Sequence, residues 1–177
     1  MQRRHFLQLT AVTGVAAVGL GYWRLPLASR PALVSIEGAL QVLERLSPQA
    51  LVSVQGWNPA QVFNHCAQSI DFSIDGYPEL KANWFRHSVG PAAFSVFASR
   101  GAMRHPLNQP IPGAPALDTP SDPALALQRL QAAFSRFIAH TGALQPHFAY
   151  GQLNHAEYAQ AHVLHLYNHL SLINSAG

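Results

Sequence analysis

Tyr158, His162, His165, His169 and Leu172 follow one another at spacings of four, three, four and three. On a helix that spacing is a seam, with each side chain a knob directed at the partner helices. Here the three middle knobs are imidazoles. His165 and His169 stand one turn apart, so their rings can converge on one point. A third nitrogen has to come from another helix, and His65 is the best candidate, at the border of an apolar face formed with Val62 and Cys66. Burying imidazoles without partners costs roughly 2–7 kcal/mol for each unsatisfied polar group. A divalent ion removes that cost by taking the nitrogen lone pairs, and three neutral histidines leave one coordination position open, as catalytic sites do. Zinc is the default ion, with nickel, iron or manganese also compatible because imidazole discriminates weakly among them.

His162 admits three readings: a fourth ligand, a hydrogen-bonding neighbour of the ligands, or the acid/base group of a reaction. His140 and His155, each taken alone, read as hydrogen-bonded core histidines. Cys66 is the only cysteine, which excludes an intramolecular disulfide and a cysteine-based zinc site. Adjacent helical positions diverge by about 100°, so Cys66 and His65 do not address the same ion and Cys66 reads as a small buried hydrophobe. Asp71 and Asp75, one turn apart, read as a solvated face, with support of a ligand as the lesser alternative. Trp57 and Trp84 read as packing residues. There is no glycine-rich phosphate loop and no Gly-x-Ser-x-Gly elbow, so nucleotide binding and serine hydrolysis have no support.

The elements that must position these residues are helices. Apolar spacing at Ile36, Leu40, Leu43 and Leu46 predicts a first helix over residues 35–46. Asn58 as cap and Pro59 at the first helical position open a second, which runs to Gly76. A shorter third fits residues 91–100 and stops at Gly101. Ser121 or Asp122, followed by Pro123, opens a fourth with the stripe Leu127, Leu130, Phe134, Phe137 and Ile138, ended by Gly142. Asn154 with Glu157 three residues on is a capping-box pattern for the last helix, expected to reach about Ile173. Residues 104–120 contain Pro106, Pro110, Pro112, Pro115 and Pro120, which rules out regular structure there. Leu107, Ile111 and Leu117 argue that this loop packs on the helices. The expected fold class is all-α: an antiparallel four-helix bundle with an extra short helix and a proline-rich loop.

The 177 residues suffice for one domain preceded by a targeting segment. Apolar residues make up 49% and charged residues 11%, which excludes a disordered chain. Four of the eleven basic residues, Arg3, Arg4, Arg24 and Arg30, precede position 31, where no acid lies. Seven bases then face eight acids, so the remaining chain lacks the basic stripe that nucleic acid requires. Residues 1–30 read as a signal or membrane anchor: Arg3-Arg4-x-Phe6-Leu7 resembles a twin-arginine export signal, and residues 7–23 form an uncharged, mostly apolar run. No clean cleavage site follows, so cleavage and anchoring both stay open. The expected location is the periplasm or cell envelope, reached through the twin-arginine export machinery, with residues 31–177 as the helical domain.

Trp57-x5-Phe63-Asn64-His65, Gly76-Tyr77-Pro78, the run 97–117 with His105-Pro106 and Ile111-Pro112-Gly113-Ala114-Pro115, His147-Phe148-Ala149-Tyr150-Gly151 and His165-Leu166-Tyr167-Asn168-His169 together resemble one branch of the DinB-like superfamily, a branch whose domain has no assigned function. The resemblance covers residues 36–173. It implies a four-helix bundle and a divalent metal held by three histidines, here His65, His165 and His169. Related members often carry an acidic residue and a further histidine inside the final motif, where Tyr167 and Asn168 stand in this chain. Characterised relatives include thiol-dependent transferases and isomerases and a few hydrolases, and fold likeness does not select among these. The leading functional expectation is a metal-dependent enzyme with an unidentified small-molecule substrate and His162 as proton carrier. The alternatives are a non-catalytic metal- or ligand-binding protein and a metal-free structural bundle.

Overall fold

The computed structural model describes residues 34–117 and 122–175. The export-type segment at residues 1–30 lies outside them. The elements in order are α1 (Ile36–Glu44), a 3-10 turn (Pro48–Ala50), β1 (Leu51–Ser53), α2 (Pro59–Asp75), α3 (Asn83–Arg86), α4 (Val89–Arg100), α5 (Pro123–Ala139), α6 (His155–Leu170) and β2 (Ile173–Ser175).

Local chemistry explains where the long helices begin. The Asn58 side chain accepts from Gln61 N at 2.9 Å while Gln61 Oε1 accepts from Asn58 N at 3.1 Å, a reciprocal box that satisfies two orphan donors. Asn154 and Glu157 repeat the device at the start of α6. Ser35 caps α1 through Gly38 N, and Asp122 caps α5 through Ala124 N. Gly101 ends α4 in the left-handed conformation that a side chain would oppose.

The fold is mostly helical but not all-α, which corrects the expectation. β1 pairs antiparallel with β2, Leu51 opposite Ser175 and Ser53 opposite Ile173. The last helix stops at Leu170 rather than near Ile173, and Leu172 O then accepts from Val54 N at 3.0 Å. Three-residue strands are too short to display a two-residue period, so hydrophobic spacing could not announce them. The short helix α3 carries no apolar stripe long enough to announce itself either. α5 ends at Ala139, three residues before the expected stop, with its last backbone turn closed by His140 N on Phe137 O.

α2 packs most extensively on α5, and α6 lies against α2, α1 and α4. Phe63, Leu130, Phe134, Phe137, Tyr158 and Leu166 are fully buried between them. The proline-rich loop is held to this core by buried Met103 and Ile111 and by Gln68 Nε2, which donates to Pro115 O at 3.2 Å. The segment 147–151 closes on itself, with His147 and Gly151 exchanging backbone hydrogen bonds. Gly151 has φ +77, and a Cβ there would lie 2.4 Å from Arg86 O. A Cβ on Gly90 would lie 1.9 Å from Ala149 O. Both glycines are therefore required for this segment to press against α3 and α4.

Ile138 belongs to the apolar stripe expected of α5, yet it is 50% exposed, whereas Phe134 is fully buried. Phe134→Ala is expected to cost about 3–5 kcal/mol through cavity formation, and Ile138→Ala about 0.5 kcal/mol or less. Urea unfolding midpoints measure both. Equal losses would show that the α2–α5 interface is not the principal core.

Candidate metal centre

α2 and α6 carry His65, His165 and His169 to one point. One ring nitrogen from each of the three lies within 4.8 Å of the others. His65 Nε2 and His165 Nε2 are 3.1 Å apart, and the ring centroids of the three are 4.7–4.9 Å from one another. His65 and His169 are buried and His165 is half-buried. The trio derived from helical spacing is thus brought together in space, and three histidines so disposed can hold a metal ion.

The electrostatics fit that chemistry. Burial lowers the His65 pKa from 6.5 to about 4, with the neighbouring His105 lowering it further. Burial also pushes His165 and His169 well down, reinforced by the surrounding imidazoles. All three rings are therefore neutral near pH 7, the form in which a nitrogen lone pair can bind a cation. His65 Nδ1 and both nitrogens of His169 are buried without a hydrogen-bond partner. Buried polar atoms ordinarily find partners, and a bound ion would take one nitrogen of each ring, which accounts for one of the two on His169. Tyr167 Oη and Asn168 Nδ2, beside the trio on α6, are also buried without partners.

The chain matches the family described as "Protein of unknown function (DUF1569)" over residues 32–176. It belongs to the DUF1569 family. No curated protein and no solved structure matched.

Several segments of this DUF1569 member that are remote in sequence meet at the trio. A cavity of about 270 Å³ is lined by His65 and His165 together with His105, His147 and His162, and by Lys81 and Ser69 among the polar residues. Met103, Ile111, Phe148 and Tyr150 supply apolar wall. Among these lining residues there is no carboxylate.

His162 stands outside the compact group of nitrogens. Its Nε2 is 3.2 Å from Ser73 Oγ, and the Ser73 hydroxyl donates to Ile70 O at 2.6 Å. With its own proton committed, Ser73 Oγ can only accept, so His162 donates through Nε2 and carries its lone pair on Nδ1. The ring packs edge-on against Phe137 and stacks on Tyr158. That arrangement speaks against a ligand role and leaves the acid/base reading open.

Spacing alone missed two neighbours of the trio. Trp57 stacks on His169 at 6.0 Å and 8° between planes and lies 4.7 Å from His65, so it packs directly on the cluster. His105, from the proline-rich loop, has its ring 4.9 Å from His165 and 5.1 Å from His169. His105-Pro106 was visible as a motif, but nothing local tied it to α6. His147 was likewise visible only as a motif; its Nδ1 accepts from Ala149 N and Tyr150 N, both at 3.1 Å, so it faces the cavity region as an Nε2–H tautomer.

Other residues resolve simply. Asp71 and Asp75 pair with Arg136 on the exposed α2–α5 face, Arg136 reaching both Asp75 oxygens at 2.6 and 2.7 Å, and these bonds lower the Asp75 pKa. They are a solvated ion-pair face and do not support the histidines. Cys66 is buried, and burial raises its thiol pKa far above the usual range, as expected of a small hydrophobe. Trp84 is exposed. His155 is hydrogen-bonded, through Nε2 to Phe137 O at 3.2 Å, but it is exposed at the start of α6 rather than in the core. His140 is half-buried beside Ala143 O at 3.4 Å, again short of a core position.

Burial lowers the His162 pKa from 6.5 to about 3. Between those values the unfolded chain binds a proton that the folded chain refuses. The stability from neutral His162 is whole above pH 6.5 and is lost progressively as pH falls toward 3. In chelator-treated protein, His162→Gln should therefore reduce the slope of unfolding free energy between pH 6 and 4 by about 1.4 kcal/mol per pH unit. Urea titrations at stepped pH read this slope, and an unchanged slope would mean that His162 is protonated in the fold.

Proposed function

We propose that this protein is an exported, divalent-metal-binding member of the DinB-like four-helix-bundle superfamily, with the ion held by His65, His165 and His169. The observation that carries the reading is the convergence of three neutral imidazoles from two helices, with nitrogens within 4.8 Å and several left without partners. Zinc is the first choice, and nickel, iron and manganese suit the same donors.

The adjoining cavity favours a site that works on a small molecule over one that only sequesters an ion, because two of the three histidines line it. A bound ion would supply Lewis-acid chemistry at that wall, and the reaction we propose is a hydrolysis or a group transfer. His162 is proposed as its proton carrier: its Nε2–H is engaged by Ser73, leaving Nδ1 for proton exchange. Apolar wall from Phe148, Ile111 and Met103 would exclude water around the reacting groups, while Lys81 offers the cavity's single ammonium. Location in the periplasm or cell envelope is proposed from Arg3-Arg4-x-Phe6-Leu7 and the apolar run behind it. The small thiols used by some DinB-like enzymes are cytosolic, so thiol transfer is the least suited of these chemistries.

Elemental analysis of the purified protein, after reconstitution with zinc, should find one ion per chain. His165→Ala should lose it, with affinity reduced by more than about 100-fold, since partners behind the ligands alone are worth 10–100-fold. His140→Ala should bind as the wild type does. Wild-type protein without stoichiometric metal would sink the proposal.

Replacing Arg3→Lys together with Arg4→Lys should strand the protein in the cytoplasm, as immunoblots of cell fractions would reveal. Undiminished recovery from the periplasm would remove the twin-arginine route.

A further inference from the structure

We propose that His105 is a fourth imidazole donor to the same ion, carried to it by the proline-rich loop, so that metal binding and loop docking are one linked event. The inference rests on the metal reading above and adds a ligand that neither helical spacing nor the compact trio contains.

Three observations converge on His105. Its ring stands 4.9 Å from that of His165 and 5.1 Å from that of His169, so it faces two of the three ligands. Its Nδ1 lies 2.8 Å from Pro106 O. A carbonyl oxygen only accepts, so Nδ1 carries the ring proton, and in the neutral ring Nε2 is a bare lone pair. That Nε2 is buried and has no partner. A ligating histidine ordinarily donates its far N–H to a carbonyl or carboxylate, which fixes the tautomer and aims the lone pair at the metal. His105 already has that arrangement.

The loop is built to hold the ring there. Met103 on one side and Ile111 on the other are buried. Gln68, one turn beyond His65 on α2, grips the loop through Pro115 O, so the helix that supplies one ligand also anchors the segment that supplies another. Pro106, Pro110, Pro112 and Pro115 restrict the free loop and reduce the conformational entropy lost on docking. Three histidines leave a tetrahedral ion one position short. His105 is outside the group of nitrogens within 4.8 Å of one another, so a short inward movement of its ring would add a fourth donor, and a small molecule from the cavity would then enter as a fifth ligand.

The test uses the full chain, stripped with chelator, and Co(II) as the probe. Wild-type protein should bind one Co(II) per chain. His105→Ala and His105→Gln should each still bind one, about 10-fold or more weakly, with an altered visible absorption spectrum. Arg104 is exposed, and trypsin cleavage after it should slow by about 10-fold on adding Co(II) to the wild type but not to either variant. Metal binding with identical affinity, spectrum and protection in all three proteins overturns the role of His105 and leaves the three-histidine reading standing. No Co(II) binding by the wild type overturns both. Should both variants lose their helical circular dichroism, the wild-type cleavage rate decides alone, and a rate unchanged by Co(II) overturns the proposal.

Discussion

An imidazole has two nitrogens to satisfy, and burying three such rings against each other within one helical layer sets the terms for everything around them. His65 and His165 face each other nitrogen to nitrogen at 3.1 Å, a distance at which one must donate if no cation intervenes. His169 has no partner on either nitrogen. A cluster of this kind persists only if the scaffold holds it rigidly, since each ring would be better solvated outside. The rigidity comes from α2 and α6, each of which begins at a reciprocal capping box, so that both ligand-bearing helices have a fixed first residue and hence a fixed register. α5 contributes nothing to the cluster itself. Its long contact with α2, through Phe134, Phe137 and Leu130, keeps α2 from rolling and turning His65 away.

The part of this design that is periodic was legible in the sequence. The four-three-four-three row on α6 and the caps at Asn58 and Asn154 are local signals, and the helices they announce are present within a few residues. His65 was reachable because a buried row of ligands on one helix demands a donor from another, and few histidines lie on apolar helical faces. What stayed hidden depends on contacts across long separations. His105 approaches α6 from about 60 residues away along a loop without a period, and Trp57 lies ahead of its helix, where spacing carries no facing information. The last helix was expected to reach about Ile173, which is instead the first residue of β2, and only pairing with β1 converts these three residues into a strand.

The cavity beside the trio shows how far burial governs charge here. His65, His105, His147, His162 and His165 all have pKa values pushed below the ordinary 6.5, with desolvation the largest cause in each. Five imidazoles on one wall would repel one another as cations. Kept neutral, they instead present hydrogen-bonding and lone-pair groups whose direction is set tautomer by tautomer: Ser73 fixes His162, Pro106 O fixes His105, and two backbone N–H groups fix His147. The imidazole part of the wall is polar without being charged, and Lys81 is the charged residue among those lining the cavity.

That neutrality has a consequence for what the cavity prefers. A divalent ion on three neutral imidazoles would keep its whole charge, because no carboxylate among the lining residues offsets it, and Lys81 adds to the positive side. In a low-dielectric setting an uncompensated charge is costly. A molecule that enters with a negative group lowers that cost, whereas a cationic one raises it. A fourth imidazole would not change this balance, since His105 is neutral as well, so it would add a donor without competing for the charge. The arrangement would thereby separate two tasks that an aspartate or glutamate ligand would have merged: the histidines would hold an ion, and its charge would be left for the bound molecule to meet.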